Sequence, residues 1–280
     1  MNIMFAMRTQ SPPEATASTD ADNTDADNTA SQDRDYVMAL EKGLAIIEAF
    51  GQIRGGASLT RLAEVTGHTK ASVRRSLHTL CRLGYAQQVG REFRLAPRSL
   101  RLGQAFVVSD SLARIAQPIL ETTAERTKES ASMAVLDSQD SVFIARATHR
   151  RSLSAGLGVG ARLPAYACAT GRVLLSGLPR EQVKFMLGRM ARPEITTHTL
   201  TSLPAILKQI DRAGRDGYAL CDQELEMGLR SLAVPIRNSA GQVIAAMSLS
   251  VSIQRLDVQG ILDTLLPELE RARQKFPALL

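Results

Sequence analysis

A chain of 280 residues that is 44% hydrophobic is long enough for two ordinary domains with real cores. At 4% aromatic residues and no Trp, those cores must be aliphatic. No apolar run approaches the ~20 residues that span a bilayer, and three scattered cysteines, Cys81, Cys168 and Cys221, exclude a disulfide framework and suit a reducing cytoplasm.

The net charge of +6 is uneven. Residues 1–34 carry −4, residues 35–103 carry +6 and residues 104–280 carry +4, so a compact basic segment lies early in the chain, as a nucleic-acid footprint would. Residues 8–34 are rich in Ser, Thr, Asp, Asn and Ala with almost no large apolar side chain, and 1–34 reads as a disordered acidic tail. Met1 to Met7 is too short for a signal-peptide core and has no cleavage site.

From about Asp35, Leu40, Leu44, Ile47 and Phe50 form a helical stripe that ends at Gly51. Ser58 is positioned to cap a second helix, which runs to Gly67, and Thr69 to cap a third, which runs to about Leu83. On the third helix Val73, Leu77, Leu80 and Cys81 recur as a buried stripe. Ser72, Arg75, Ser76 and Thr79 recur on the opposite face with Lys70 and Arg74 beside them, and no acidic residue lies between Lys70 and Gly90. A merely solvated face normally mixes signs, whereas hydroxyls and guanidiniums suit the major groove of DNA. Tyr85–Val89 and Glu92–Leu95 around Gly90-Arg91 read as a basic hairpin.

Three helices and a hairpin make a winged helix-turn-helix over residues 35–100, its motif at about 58–77. Arg75 is the expected guanine reader. Ser72, Ser76 and Thr79 suit phosphates or base edges, Arg91 and Arg94 on the wing suit phosphate or minor groove, and Thr69, Lys70 and Arg74 complete the expected DNA-binding set.

Residues 101–128 read as linker and dimerisation helices, with a kink or break expected at Pro118. From Met133 the period changes: MAVLDSQDSVFIARAT is a hairpin around Asp137–Asp140, followed by a strand and a Gly-rich loop from Leu153. Helices are expected over Ala167–Gly177, Arg180–Met190 and Leu203–Gly217, strands over Arg230–Arg237 and Gln242–Ser252, and a last helix from Asp257. This is an α+β domain over 129–280.

GLGVG at Gly156–Gly160 lacks the third glycine and downstream acid of a dinucleotide loop. Cys168 enters a helix, where a thiol can be activated, but with no His nearby in sequence it reads as a small buried hydrophobe. Glu224 and Glu226 flank Leu225 and read as surface residues, and no His or Cys shows metal-ligand spacing. Ser248 and Ser250 alternate with Met247, Leu249 and Val251, so both hydroxyls share one side of a strand. They either satisfy backbone groups or line a polar pocket.

SLTRLAEVTGHTKASVRRSLHTL followed by GYAQQVGREFRLAPRSLRLG, together with GARLPAYACATGRVLLSGLP and CDQELEMGLRSLAVPIRNSAGQVIAAMSLSV, resembles the isocitrate-lyase-regulator (IclR) family of bacterial transcription factors over about 35–277. DQELEMGLRSLAVPI is similar to the branch that controls protocatechuate and 4-hydroxybenzoate catabolism, the β-ketoadipate pathway.

The resemblance implies a winged helix-turn-helix joined by a linker helix to a GAF-like effector-binding domain. It implies that the Gly160 and Ala161 amides meet an effector carboxylate, that Cys221, Ser231, Ser248 and Ser250 are polar pocket residues, and that Leu153, Leu163, Tyr166 and Leu229 are apolar walls. Cys221 stands where some relatives carry an acid, and Ser231 where a Cys can occur. The expected protein is a cytoplasmic, ligand-responsive regulator rather than an enzyme, without cofactor or metal. It would bind a palindromic operator as a homodimer or dimer of dimers and respond to protocatechuate, 4-hydroxybenzoate or β-ketoadipate. The competing expectation is a GAF-type redox enzyme using Cys168, with the head as an accessory. An RNA-binding module would need an aromatic stacking surface, which the basic face lacks.

Overall fold

The computed structural model describes residues 35–53, 55–149 and 157–276. The acidic tail 1–34 and Leu153 lie outside the described residues. The chain divides into two compact units between Ser99 and Leu100.

The first unit runs α1 (Met38–Ala49), β1 (Ala57–Ser58), α2 (Leu59–Thr66), α3 (Lys70–Arg82), β2 (Ala86–Val89) and β3 (Glu92–Leu95), with a three-stranded sheet in the order β1-β3-β2. Both expected caps form: the Arg61 amide donates to Ser58 Oγ at 3.2 Å and the Ser72 amide to Thr69 Oγ1 at 3.3 Å. Gly67, at φ 68°, turns the chain between α2 and α3. The two-residue strand β1 was not anticipated; it is recruited by pairing with β3.

Ile46, Phe50, Leu62, Val73, Leu77 and Leu80 are buried together. The buried face of α1 is thus Ile46 and Ala49, continued by Phe50 in the turn that follows, while Leu40 and Leu44 of the expected stripe are 61% and 47% exposed. The helix carries apolar side chains on two faces, and its periodicity alone does not distinguish them.

The second unit begins with α4 (Leu100–Ser109) and α5 (Ser111–Thr127). The break falls at Asp110, whose carboxylate accepts the Ala113 amide at 3.0 Å, and not at Pro118, which α5 carries on its exposed side. An antiparallel sheet follows in the order β6-β5-β4-β9-β8-β7. Its strands are β4 (Ser130–Asp137), β5 (Asp140–Ala147), β6 (Arg162–Pro164), β7 (Ala219–Asp222), β8 (Leu229–Arg237) and β9 (Val243–Ser252). The unit also contains α6 (Ala169–Ser176), α7 (Arg180–Arg189), α8 (Leu203–Asp216) and α9 (Val258–Arg273). Strand β7 was missed because four residues are too few to show a period.

One face of the sheet packs on α5 and α9 through Leu120, Met133, Met247, Leu249, Leu265 and Leu269. The other receives α6 against Ala134, Ala233 and Ala246. These small residues let the helix come close. Gly171 in α6 is required, since a Cβ there would lie 2.3 Å from the Ala165 backbone. The segment expected as a linker therefore contributes its second helix to this core.

Candidate effector cavity and DNA-contact surface

Strand pairing determines what faces α6. On β4 and β9, Ser130 is paired with Ser250 and Ser132 with Ser248; on β8, Ser231 is paired with Ser250, and on β7, Cys221 with Ser231. Directly paired residues share a face, so hydroxyls and one thiol form two polar rows on a face that also carries Ala134, Phe143, Ala233 and Ala246. A narrow cavity of about 30 Å³ lies over these rows, room for roughly one or two water molecules until its walls part.

Ser231, Ser248 and Ser250 line this cavity with Cys221, Leu163 and Leu229, as the sequence reading expected of all six. None of the three serine hydroxyls makes a hydrogen bond among the described residues. Phe143, Leu157, Ala169 and Leu225 complete the apolar wall.

Three expected pocket residues sit differently. Tyr166 is fully buried in a separate cluster with Val183, Leu187 and Ile206, and its hydroxyl donates to the Pro193 carbonyl at 2.6 Å. The Gly160 amide donates to the Phe143 carbonyl at 2.7 Å, and the Ala161 amide to the Gly158 carbonyl at 3.1 Å. Both amides assigned to an effector carboxylate are thus already engaged within the chain, and neither residue lines the cavity, although Ala161 packs behind it.

Cys168 also lines the cavity, as the N-cap of α6, its sulfur accepting the Gly171 amide at 3.4 Å. Burial pushes both the Cys168 and the Cys221 thiols up from their ordinary values. A neutral thiol is a poor nucleophile, so the setting of Cys168 lends no support to a redox reading.

The structure puts two further charged residues near the cavity face that the sequence reading did not place there. Glu224, read as a surface residue, is 7% exposed. It receives Arg172 in a bidentate pair at 2.6 and 2.5 Å and the Leu200 amide at 3.2 Å. Its carbonyl accepts the Thr199 hydroxyl at 2.6 Å. This pair ties α6 to the segment that supplies Leu225 and Leu229 to the cavity. Arg146 on β5 is paired with Ser132, and its guanidinium donates to Ser132 Oγ at 3.3 Å. A register shift at Met133/Ala134 puts Arg146 and Phe143, three apart, on one face.

In the first unit, the outward surface of α3 presents Lys70, Arg74, Arg75 and Thr79, all exposed, together with Ala71, His78 and Arg82, which were not singled out. Ser72 and Ser76 are half-buried beside α1, in a groove that Leu40, Leu44 and Ile47 also line. Thr79 turns its hydroxyl back to the Arg75 carbonyl at 3.1 Å. Thr69 is committed to its cap. On the wing, Arg91 is exposed at the turn and Arg94 lies 3.7 Å from Glu92. Among the described residues no group of His, Cys, Asp or Glu could hold a metal ion, and no helix is long and apolar enough to cross a membrane.

A winged helix-turn-helix with a basic α3 face, followed by an α/β unit with a polar-floored cavity, defines a ligand-responsive DNA-binding regulator. Residues 39–90 match the IclR helix-turn-helix domain, and residues 104–277 match the bacterial transcriptional regulator IclR C-terminal domain. The chain belongs to the IclR family of transcriptional regulators.

It is similar to the Pca regulon regulatory protein of Pseudomonas putida, 40% identical over 80% of this chain and 77% of that protein. It is also similar to the p-hydroxybenzoate hydroxylase transcriptional activator of Acinetobacter baylyi, 35% identical over 83% and 88%. Among solved structures, the inducer-binding domain of a double mutant of the PobR transcription factor from Acinetobacter, in complex with 3-hydroxybenzoic acid, matches with a TM-score of 0.56. It is 31% identical, over 59% of this chain and 97% of that one. These relatives are regulators, and none supports a redox enzyme.

Proposed function

We propose that this chain is a cytoplasmic regulator of aromatic-acid catabolism by the protocatechuate and β-ketoadipate route. It binds a palindromic operator and responds to a small carboxylic acid: protocatechuate, 4-hydroxybenzoate or β-ketoadipate. The observation that carries the reading is the cavity floored by Ser231, Ser248 and Ser250. Hydroxyls without protein partners beside the apolar wall of Phe143, Leu163 and Leu229 suit an acid or phenol that brings its own donors and acceptors and parts the walls to enter. The similarity to regulators named for Pca and p-hydroxybenzoate genes supports the class of acid.

Arg75, with Lys70, Arg74 and Thr79 beside it, is the DNA-reading edge of α3, and Thr69, Ser72, Ser76, Arg91 and Arg94 flank it. One such helix contacts only a few base pairs, so a second copy on a symmetric half-site doubles the contact. The exposed apolar side chains Met38, Leu40 and Leu44 on α1, and Leu100, Leu102 and Phe106 on α4, support self-association. The effector acts by binding one arrangement of the regulator better than another.

The test is a mobility shift on the DNA flanking the gene, with each acid titrated. A shift in operator affinity with at least one acid is expected. Indifference to all three would overturn the effector reading.

A further inference from the structure

We infer that the positive end of the effector site is the N-terminus of α6, where the Ala169 and Thr170 amides donate to the effector's carboxylate. The inference rests on the reading that the effector is a small carboxylic acid, and deepens it by assigning the seat of the charged group.

An anion entering the cavity needs a positive partner, because an unpaired carboxylate is costly to dehydrate. The lining contains no basic side chain and two acidic ones, Glu224 and Glu226. Arg172 cannot serve: it is 1% exposed and both of its terminal nitrogens are committed to Glu224. The Gly160 and Ala161 amides are engaged with carbonyls of the chain. Three consecutive lining residues, Cys168, Ala169 and Thr170, are instead the start of a helix.

Helix α6 spans eight residues, Ala169–Ser176, and its first amides have no acceptor within the helix. Such an end carries the equivalent of about half a positive charge, and its amides point at whatever anion lies beyond it. An N-cap Ser, Thr, Asp or Asn normally takes up some of these donors. Here the cap is Cys168, whose sulfur accepts the Gly171 amide at 3.4 Å, and a thiol is a weak acceptor. The Ala169 and Thr170 amides make no hydrogen bond among the described residues, although the two residues are only 1% and 3% exposed. Buried backbone donors are nearly always paired, so this helix end lacks an acceptor. The Thr170 hydroxyl is already engaged with Ser141 at 2.7 Å, which leaves the amide as its free donor.

A second, independent observation comes from the sheet. The Ser248 hydroxyl on β9 lines the same cavity, is 4% exposed and has no hydrogen-bond partner among the described residues. Two amides on the helix wall and a hydroxyl on the sheet wall are a donor set for one carboxylate. The cavity has room for roughly one or two water molecules, about what two carboxylate oxygens displace. The preformed space is the seat of the charged group, and the rest of the acid lies where the walls part.

The test compares acids with their uncharged amides. Protocatechuate, 4-hydroxybenzoate and the corresponding benzamides are titrated calorimetrically into the full native chain and into the A169P variant. Proline removes one amide, is tolerated at the first helical position, and follows a Cys168 backbone already extended at φ −128° and ψ 152°. The native protein is expected to prefer an acid over its amide by ~10- to 100-fold, the value of hydrogen bonds to a charged group. A169P should weaken the acid about tenfold and the amide by no more than about threefold.

Full acid preference retained in A169P overturns the assignment, and so does equal loss of both ligands, which would mark a structural role. If A169P does not fold, the amide protons of the nitrogen-15-labelled native chain decide. Those of Ala169 and Thr170 should move downfield on binding the acid and not on binding the benzamide, and protons unmoved by the acid overturn the assignment. A native protein that binds acid and amide alike sinks only this inference; one that binds neither acid sinks the effector reading with it.

Discussion

Replacing Glu224 with Gln removes the counter-charge of the most deeply buried cation in the second unit. Arg172 is 1% exposed and donates through both terminal nitrogens to Glu224, at 2.6 and 2.5 Å, while its Nε donates to the Tyr166 carbonyl at 3.2 Å. Gln keeps the shape and one acceptor but leaves a buried guanidinium without compensation, and breaking a buried pair in this way costs about 3–5 kcal/mol. For a unit of this size each kcal/mol lowers the melting temperature by about 2–4 °C, so E224Q should melt roughly 6–20 °C below the native chain.

The double variant R172M/E224L, with no charge left in the core, should recover most of that loss, because an apolar pair of similar volume needs no dehydration of ions. Thermal unfolding followed by circular dichroism reads both. A loss below about 1 kcal/mol in E224Q, or a double variant as unstable as the single one, would refute the argument. The same variant should bind effector more weakly, since Glu224, Leu225 and Leu229 stand on the segment that the ion pair anchors to α6.

Changing Ser248 and Ser250 together to Ala should weaken the bound acid by roughly ten- to hundredfold while operator affinity without ligand stays near native; calorimetry and mobility shift check the two halves. R75A should weaken operator binding by about 1–3 kcal/mol and relax one base pair per half-site, whereas uniform loss on all sequences with a flattened salt dependence would mark a phosphate contact. Glu129, 7% exposed, is held at a pKa of about 7 by burial, against the partial offset of Arg255 at 2.7 Å. A carboxyl whose folded pKa exceeds its unfolded value binds its proton more tightly when folded, so its contribution to stability falls as pH rises from the unfolded value, about 4.5, to about 7. E129Q should therefore match the native chain near pH 4.5 and exceed it by up to roughly 3 kcal/mol at pH 8, and equal melting differences at both pH values would contradict this.

What could be read from the residues, and what could not, divides by range. The caps at Ser58 and Thr69, the turn at Gly67 and the buried stripe of Val73, Leu77 and Leu80 are local, and they stand where spacing and turn chemistry put them. The alternation of Ser248 and Ser250 is local too, and it correctly placed two hydroxyls on one side of β9. The errors arose wherever a second element decided the outcome. Leu40 and Leu44 carry a valid helical period, but α3 packs on the other apolar face of α1. Pro118 is a strong breaker in isolation, yet its exposed position in α5 lets the helix continue, and Asp110 supplies the break by capping. Glu224 looked like half of a surface pair because the arginine that buries it stands 52 positions earlier. The one local hint was a single Arg inside the otherwise uncharged ATGRVLLS helix.

Arg146 was hidden by a subtler effect. Strict alternation would set residues 143 and 146 on opposite faces of β5, and only the register shift opposite Met133/Ala134 returns both to the cavity side. It sends Ile144 and Ala145, adjacent in sequence, together into the α5–α9 core. A bulge of this kind spends one residue of a strand to re-aim the next, and here it brings a guanidinium next to the ring of Phe143 and above a row of serines. The chemistry of this site therefore depends on pairing register as much as on residue type. A deletion in β5 that restored strict alternation and turned Phe143 away from the cavity should weaken the bound acid even with every other cavity side chain retained, and an unchanged acid affinity in such a folded variant would show that the register does not shape the cavity wall.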